Sequence, residues 1–255
     1  MTIHQPAQRM AALESAVFAE LGARKRTLMA QGVDVIDLGV GTPDQPPAAH
    51  IREALVAGVE QQRFGYAISD MTALRQAAAD WYARRFAVTL DAETEILAMA
   101  GSQDGLAHLP LALINPGDVV LVPDPGYPIF HMAPQMAGGR LVTMPMRRER
   151  GWIIDVRDIA PNDARAAKLM VISYPNNPVS VIAPRSFYQD VVAFAREYNI
   201  TVLHDNAYCE LTFDGRTTGS FLQTPGAKEV GLEFNSLSKS HNLTGARVGF
   251  ALGNA

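Results

Sequence analysis

Seven short runs of apolar residues punctuate this chain, and stretches of helical period separate most of them. The runs at 95–100, 119–122, 140–145, 168–173, 201–204, 231–236 and 246–252 predict strands. Most are continuously apolar rather than alternating, the pattern of strands buried on both faces. Helical spacing predicts helices near 48–62, 72–86, 103–114, 127–137 and 184–199. An amphipathic helix is expected over about 10–30, with Leu13, Val17, Leu21 and Leu28 broadly on one side and Gly32 as its stop. A short strand is expected at 33–38, followed by the Gly/Pro-rich stretch 39–47, the best boundary in the chain. The whole reads as an α/β protein, a three-layer α/β/α unit around a seven-stranded, mostly parallel sheet, preceded by a helical arm. Ligands of such sheets bind outside the carboxyl ends of the strands. Every chemically interesting segment here begins where a predicted strand stops.

Composition narrows the function classes. The 255 residues are 48% apolar and 19% charged, enough for a large core. Net charge is −4, with no basic block, so a nucleic-acid partner is not expected. The single cysteine, Cys209, rules out an intramolecular disulfide and fits a reducing compartment; its plain reading is a small core residue. No apolar run has the length of a membrane span, and Glu14 and Glu20 argue against a mitochondrial presequence. The expected location is cytoplasmic. No metal site is expected.

The candidate chemistry centres on Lys239, within Asn235-Ser236-Leu237-Ser238-Lys239, with Arg247-Val248-Gly249 following. A lysine near hydroxyls and a guanidinium can form an imine while its neighbours hold an anion; alone, it reads as a solvated surface group. Ser236, Ser238 and Arg247 match a phosphate dianion, or else a local turn and a surface ion pair. Gly101-Ser102-Gln103 opens a predicted helix, either as an anion site or with Ser102 as a plain N-cap. It is not a Walker loop, and no Gly-x-Gly-x-x-Gly follows a strand. Tyr127, between turn-forming prolines, could stack on a planar ring or pack within its loop. Asn177 offers a donor and an acceptor, yet Asn-Pro is common turn chemistry. Asp205 ends a buried strand, where a carboxylate is costly unless paired. A pyridinium nitrogen would suit it; an N-cap or internal salt bridge is the alternative. Together these segments point to pyridoxal phosphate (PLP).

In order and spacing, the chain resembles the class I/II aminotransferases, PLP enzymes of fold type I. The matched segments are 38–44, Tyr66 with Leu74-Arg75, 101–103, 125–128, 176–178, 205–208, 236–239 and 247–249. The resemblance implies that Lys239 carries the cofactor as a Schiff base and that Asp205 pairs with the ring nitrogen. Tyr208 and Asn177 would bond the ring's phenolic oxygen, and Tyr127 would stack on the ring. Ser102, Gln103, Ser236 and Arg247 would hold the phosphate. Tyr66 would reach the cofactor of a neighbouring subunit, implying a homodimer. Gly41 and Asn177 would face the substrate. Residues 1–46 would form an N-terminal arm and the start of the small domain, and 47–255 the large PLP-binding domain. The C-terminal small domain, with its carboxylate-binding arginine, would lie beyond Ala255. The chain departs from the family pattern at Val179-Ser180, where Thr-Gly is usual, and at Met71-Thr72, which intervene before Leu74-Arg75.

The implied reaction transfers an amino group from an L-amino acid to a 2-oxo acid. Two alternatives use the same fold: a lyase of the C–S β-lyase or aminocyclopropane carboxylate synthase kind, and a non-catalytic effector domain.

Overall fold

The computed structural model describes residues 7, 9–10, 17–39, 41–61, 65 and 71–254. Its centre is a seven-stranded sheet: β1 (Ile96–Met99), β2 (Val119–Asp124), β3 (Arg140–Pro145), β4 (Ala167–Ser173), β5 (Thr201–Asp205), β6 (Gly231–Ser236) and β7 (Gly249–Gly253). The spatial order is β1-β7-β6-β5-β4-β2-β3. Strands β2 to β6 pair in parallel, and β7 runs antiparallel to both its neighbours, β1 and β6. Each of the seven predicted runs overlaps one of these strands.

Alternation along the strands sorts the core into two layers. Val120, Val122, Leu169, Val171, Leu203 and Phe234 face α4 (Ser102–Leu113) and α5 (Ile129–Met136), whose Leu106 and Phe130 join the same cluster. Leu121, Met170, Ile172 and Val202 face the other way, toward Ala78, Ala79, Tyr82 and Phe86 of α3 (Thr72–Phe86) and Phe187, Val191 and Val192 of α7 (Arg185–Tyr198). Both faces are therefore covered, which explains why the strands lack an exposed polar stripe. Trp81, Tyr82 and Phe86 meet edge-on or tilted at 5.2–5.3 Å between ring centroids. Three short helices escaped the sequence reading: α6 (Pro161–Ala166), α8 (Ala227–Val230) and α9 (Leu237–Ser240). Each is too brief to show a helical period.

The N-terminal part differs from expectation in one respect. Helix α1 (Val17–Ala30) ends as predicted before Gly32, which takes φ +81°. Residues 33–38 then form no strand. Ile36 and Leu38 are 84% and 90% exposed, and the segment pairs with none of the seven strands. Asp37 holds this segment to α1 through Lys25 at 2.6 Å. Helix α2 (Ala49–Glu60) likewise buries none of its residues, although Leu55, Val56 and Val59 are apolar. Among the described residues, no helix is long and apolar enough to cross a membrane.

The central layer should dominate stability. Leu203 is 1% exposed between β4 and β6, so Leu203→Ala is expected to cost about 2–5 kcal/mol in transfer and cavity terms. Urea unfolding monitored by circular dichroism measures it; a cost below about 1 kcal/mol would mean that the layer collapses around the gap.

Candidate active site

Strand register gathers the candidate residues on one edge of the sheet. Ser173 pairs with Asp205, Asp205 with Phe234, and Gly249 with both Ser236 and Met99. The carboxyl ends of β1, β4, β5 and β6 thus meet the start of the reversed strand β7. That reversal brings Arg247 against Ala100, just before α4 and 147 residues earlier in the chain. Gly249 makes the approach possible: a Cβ there would lie 2.6 Å from the Ser102 nitrogen and 2.7 Å from the Gly101 carbonyl carbon.

One end of the site is cationic. Arg247 donates to the Ala100 carbonyl at 3.3 Å, the Thr244 carbonyl at 3.1 Å and the Ser238 hydroxyl at 3.4 Å. Its own backbone sits in the left-handed region, φ +55°, which costs a non-glycine residue about 1 kcal/mol or more and marks a constrained position. The guanidinium packs against Gly101, where a Cβ would lie 2.2 Å from Nη2. Gly101 also precedes α4 with φ +83°, and no side chain caps the helix. Ser102 and Gln103 therefore begin a helix whose first N–H groups suit an anion. Ser236 is buried and caps α9, accepting from the Ser238 N–H at 3.1 Å. The hydroxyl against Arg247 is that of Ser238. Lys239 follows on α9, and its Nζ donates to the Gly41 carbonyl. Partial burial, and then the charge of Arg247, hold its amine below the usual lysine range.

The other end is anionic. Asp205 is 5% exposed, and its Oδ1 has no hydrogen-bond partner. Burial pushes its pKa up to about 6, against the pull of His204 and the Ala207 N–H. Tyr208 and Asn177 meet at 3.4 Å, Asn177 donating. Burial and then Asp205 raise the Tyr208 phenol. Tyr127 bonds Gln103 Oε1 at 3.0 Å and meets Phe130 edge-on at 5.8 Å. Burial and Asp205 raise its phenol while Arg247 lowers it, so Tyr127 feels both ends of the site. Ser180 takes φ +57°, at one of the two positions where the sequence departs from the expected Thr-Gly. The chain keeps the left-handed turn without the glycine that makes it easy. Tyr66 lies outside the described residues.

These residues fit PLP. An unpartnered buried carboxylate oxygen suits a cationic ring N–H. At the far end, an uncapped helix start, a hydroxyl and a guanidinium suit a phosphate dianion. Among the described residues, no group of three or more His, Cys, Asp or Glu is arranged to hold a metal ion. Cys209 is fully buried, and burial pushes its thiol up to about 12.

The sequence reading missed what lies beneath Asp205. On the opposite face, buried Glu233 and Asn235 of β6 join His204 of β5, Tyr82 of α3 and Asn206. The signal was present: a carboxylate and an amide two positions apart inside an apolar strand.

The architecture is that of PLP-dependent enzymes of fold type I. Residues 33–255 match the family model for aminotransferase class I and II, and the chain belongs to that family, whose members depend on PLP. It is 49% identical over 251 residues to an LL-diaminopimelate aminotransferase of Syntrophobacter fumaroxidans, covering 98% of this chain and 65% of the relative. A relative of the same name in Moorella thermoacetica is 46% identical over 253 residues, with the same coverage. Among solved structures, substrate-bound BacF of Bacillus subtilis superposes with a TM-score of 0.92 at 37% identity, covering 99% of this chain and 64% of that one. Aspartate aminotransferase of Thermus thermophilus with maleate gives 0.88 at 27% identity, covering 99% and 65%. The chain thus spans about 65% of the length of the curated relatives it matches.

The cationic end has a simple electrostatic test. Arg247→Met should shift the pH profile of Lys239 modification by a small amine reagent to higher pH, because a repelling charge is gone. Mass spectrometry of the Lys239 peptide reads the profile; an unmoved curve would leave burial as the sole cause.

Proposed function

We propose that this chain carries the cofactor site of an aminotransferase that moves an amino group between an L-amino acid and a 2-oxo acid. The observation that carries the proposal is the two-ended site: an unpartnered buried carboxylate at one end, and Arg247 over an uncapped helix start at the other. When bound, PLP would supply an electron sink that lets a substrate Cα–H bond break. Asp205 would hold a proton on the ring nitrogen, keeping that sink strong. Tyr208 and Asn177 would orient the ring through its phenolic oxygen, and Tyr127 would cover one face. Ser102, Gln103, Ser236 and Arg247 would anchor the phosphate; Ser238, which touches Arg247, would stand with them. Lys239 would hold the cofactor and, once released by the incoming amino acid, would take the Cα proton at Nζ. Its lowered pKa favours that role, since more of the amine is free at neutral pH. The Gly41 carbonyl, which now accepts from Lys239, and Asn177 would face the substrate.

The finer reading is LL-diaminopimelate as the amino acid, supported by the names of several relatives 46–49% identical to this chain. We take residues 1–46 as an arm and the first part of the small domain, and 47–255 as the large PLP-binding domain, working as a homodimer in which Tyr66 reaches the neighbouring subunit's cofactor. An additional small domain would supply the arginine for the substrate carboxylate.

A visible absorption spectrum with PLP tests the site. The wild-type protein should develop the band of a lysine-bound cofactor, and Lys239→Ala should not. A folded wild-type protein without the band would remove the basis of the proposal. With LL-diaminopimelate and a 2-oxo acid, a new amino acid is the expected product; free ammonia would indicate a lyase instead.

A further inference from the structure

The sheet face opposite Asp205 carries charge where an apolar layer would be expected. Glu233 is fully buried on β6. One of its oxygens accepts from the Tyr82 hydroxyl at 2.7 Å and the Asn206 amide at 3.0 Å. The other meets the Ser220 hydroxyl at 2.9 Å, the Phe221 N–H at 2.7 Å and His204 Nδ1 at 2.9 Å. So many donors stabilise the ionised form. Burial opposes that form, but His204, Asn206 and Tyr82 outweigh it and leave the carboxyl below its ordinary range.

His204 is also fully buried. Its Nδ1 faces the Glu233 carboxylate, and its Nε2 faces the Tyr174 carbonyl oxygen at 3.2 Å. Both partners are acceptors only. A neutral imidazole would set a lone pair against one of those oxygens, whereas a doubly protonated ring donates to both. The rings of Tyr188 and Phe221 stand beside it, at 5.4 Å and 6.2 Å.

We infer that His204, held as an imidazolium by Glu233, is a positioning residue for Asp205: its charge, one residue away on β5, keeps the Asp205 carboxylate ionised for a cationic ring nitrogen. The inference rests on the PLP reading of Asp205. Other groups packed around the pair do not supply the charge. Tyr82 of α3, Tyr188 of α7 and Tyr174 after β4 are phenols raised chiefly by burial, and Cys209 is a thiol raised to about 12 by the same cause. Glu233 acts on Asp205 in the opposite sense, but His204 is the stronger influence of the two. Asp205 thus feels the positive end of a neutral pair.

PLP affinity measured against pH by absorbance titration tests this, using the wild-type protein, H204Q, D205N and the double variant. D205N keeps the titrations of Lys239 and of the cofactor phosphate, so the ratio of wild-type to D205N affinity isolates Asp205. That ratio should fall as pH drops through about 6, because a protonated Asp205 cannot pair with a ring cation. In H204Q the fall should move up by about one pH unit, weakening binding about twofold at pH 7 and by close to tenfold near pH 5. In the D205N background, H204Q should add nothing. A loss that is equal at every pH and persists in D205N would reduce His204 to a packing role and overturn the inference alone. Failure of the wild-type protein to bind PLP would overturn the cofactor reading and this one together. Should H204Q not fold, nitrogen NMR of the wild-type cofactor-free protein still decides: both His204 ring nitrogens should carry protons at neutral pH, and a neutral-ring spectrum would overturn the assignment.

Discussion

Asp205 is a carboxylate at the end of a buried strand with one oxygen unpartnered, and the cost of that placement organises the site around it. Deeper on its face of the sheet the strands are apolar, through Leu203, Val171 and Phe234. The stabilising groups therefore come from the opposite face, where His204 and Glu233 are bonded, and from the cleft itself. Arg247 lies at the far end of that cleft, and Tyr127 registers both charges. The result is a cleft with a fixed polarity, negative where β5 stops and positive where β7 begins. A ligand that is a cation at one end and a dianion at the other fits it in one orientation only. Orientation is what a transaminase cofactor needs most, since its reactive carbon must face a single lysine.

Much of this was legible in the sequence, for a physical reason. Strands buried on both faces need unbroken apolar runs, and such runs are hard to mistake. The strand limits at 140–145 and 231–236 were read to the residue. The same rule misread residues 33–38, where apolar residues are present but, among the described residues, none of the seven strands pairs with them. Sequence records the preference for extension; only the sheet edge makes it a strand. Most of the candidate residues meet because they lie at or just after the carboxyl end of a strand, so the fold's geometry converts spacing into proximity. Ser236 is the partial exception, since its hydroxyl caps α9 while Ser238 meets Arg247. The Tyr82–Glu233 contact spans 151 residues, and no local pattern announces it. Glu233 alone could have raised suspicion, as a charge inside an apolar strand.

Glycine marks the places where backbone has replaced side chain. At Gly249 the start of β7 presses on the start of α4, and at Gly101 the guanidinium of Arg247 lies where a Cβ would project. Both positions serve the same end of the cleft. The cationic wall is thus built from main chain and one arginine packed too closely for ordinary side chains, and a wall of that kind needs little reorganisation when an anion arrives.

The reversed strand β7 has a consequence for how the molecule comes to be made. Strand β1 has only β7 as a neighbour, and β7 must slot between β1 and β6. During synthesis from the N-terminus, β1 emerges early and stays without a partner until nearly all the described chain has left the ribosome. The same late insertion delivers Arg247 to Ala100. The Arg247 end of the site is thereby tied to the closing event of the described sheet, so its guanidinium and the Ala100 carbonyl meet only once the strands between them are in place.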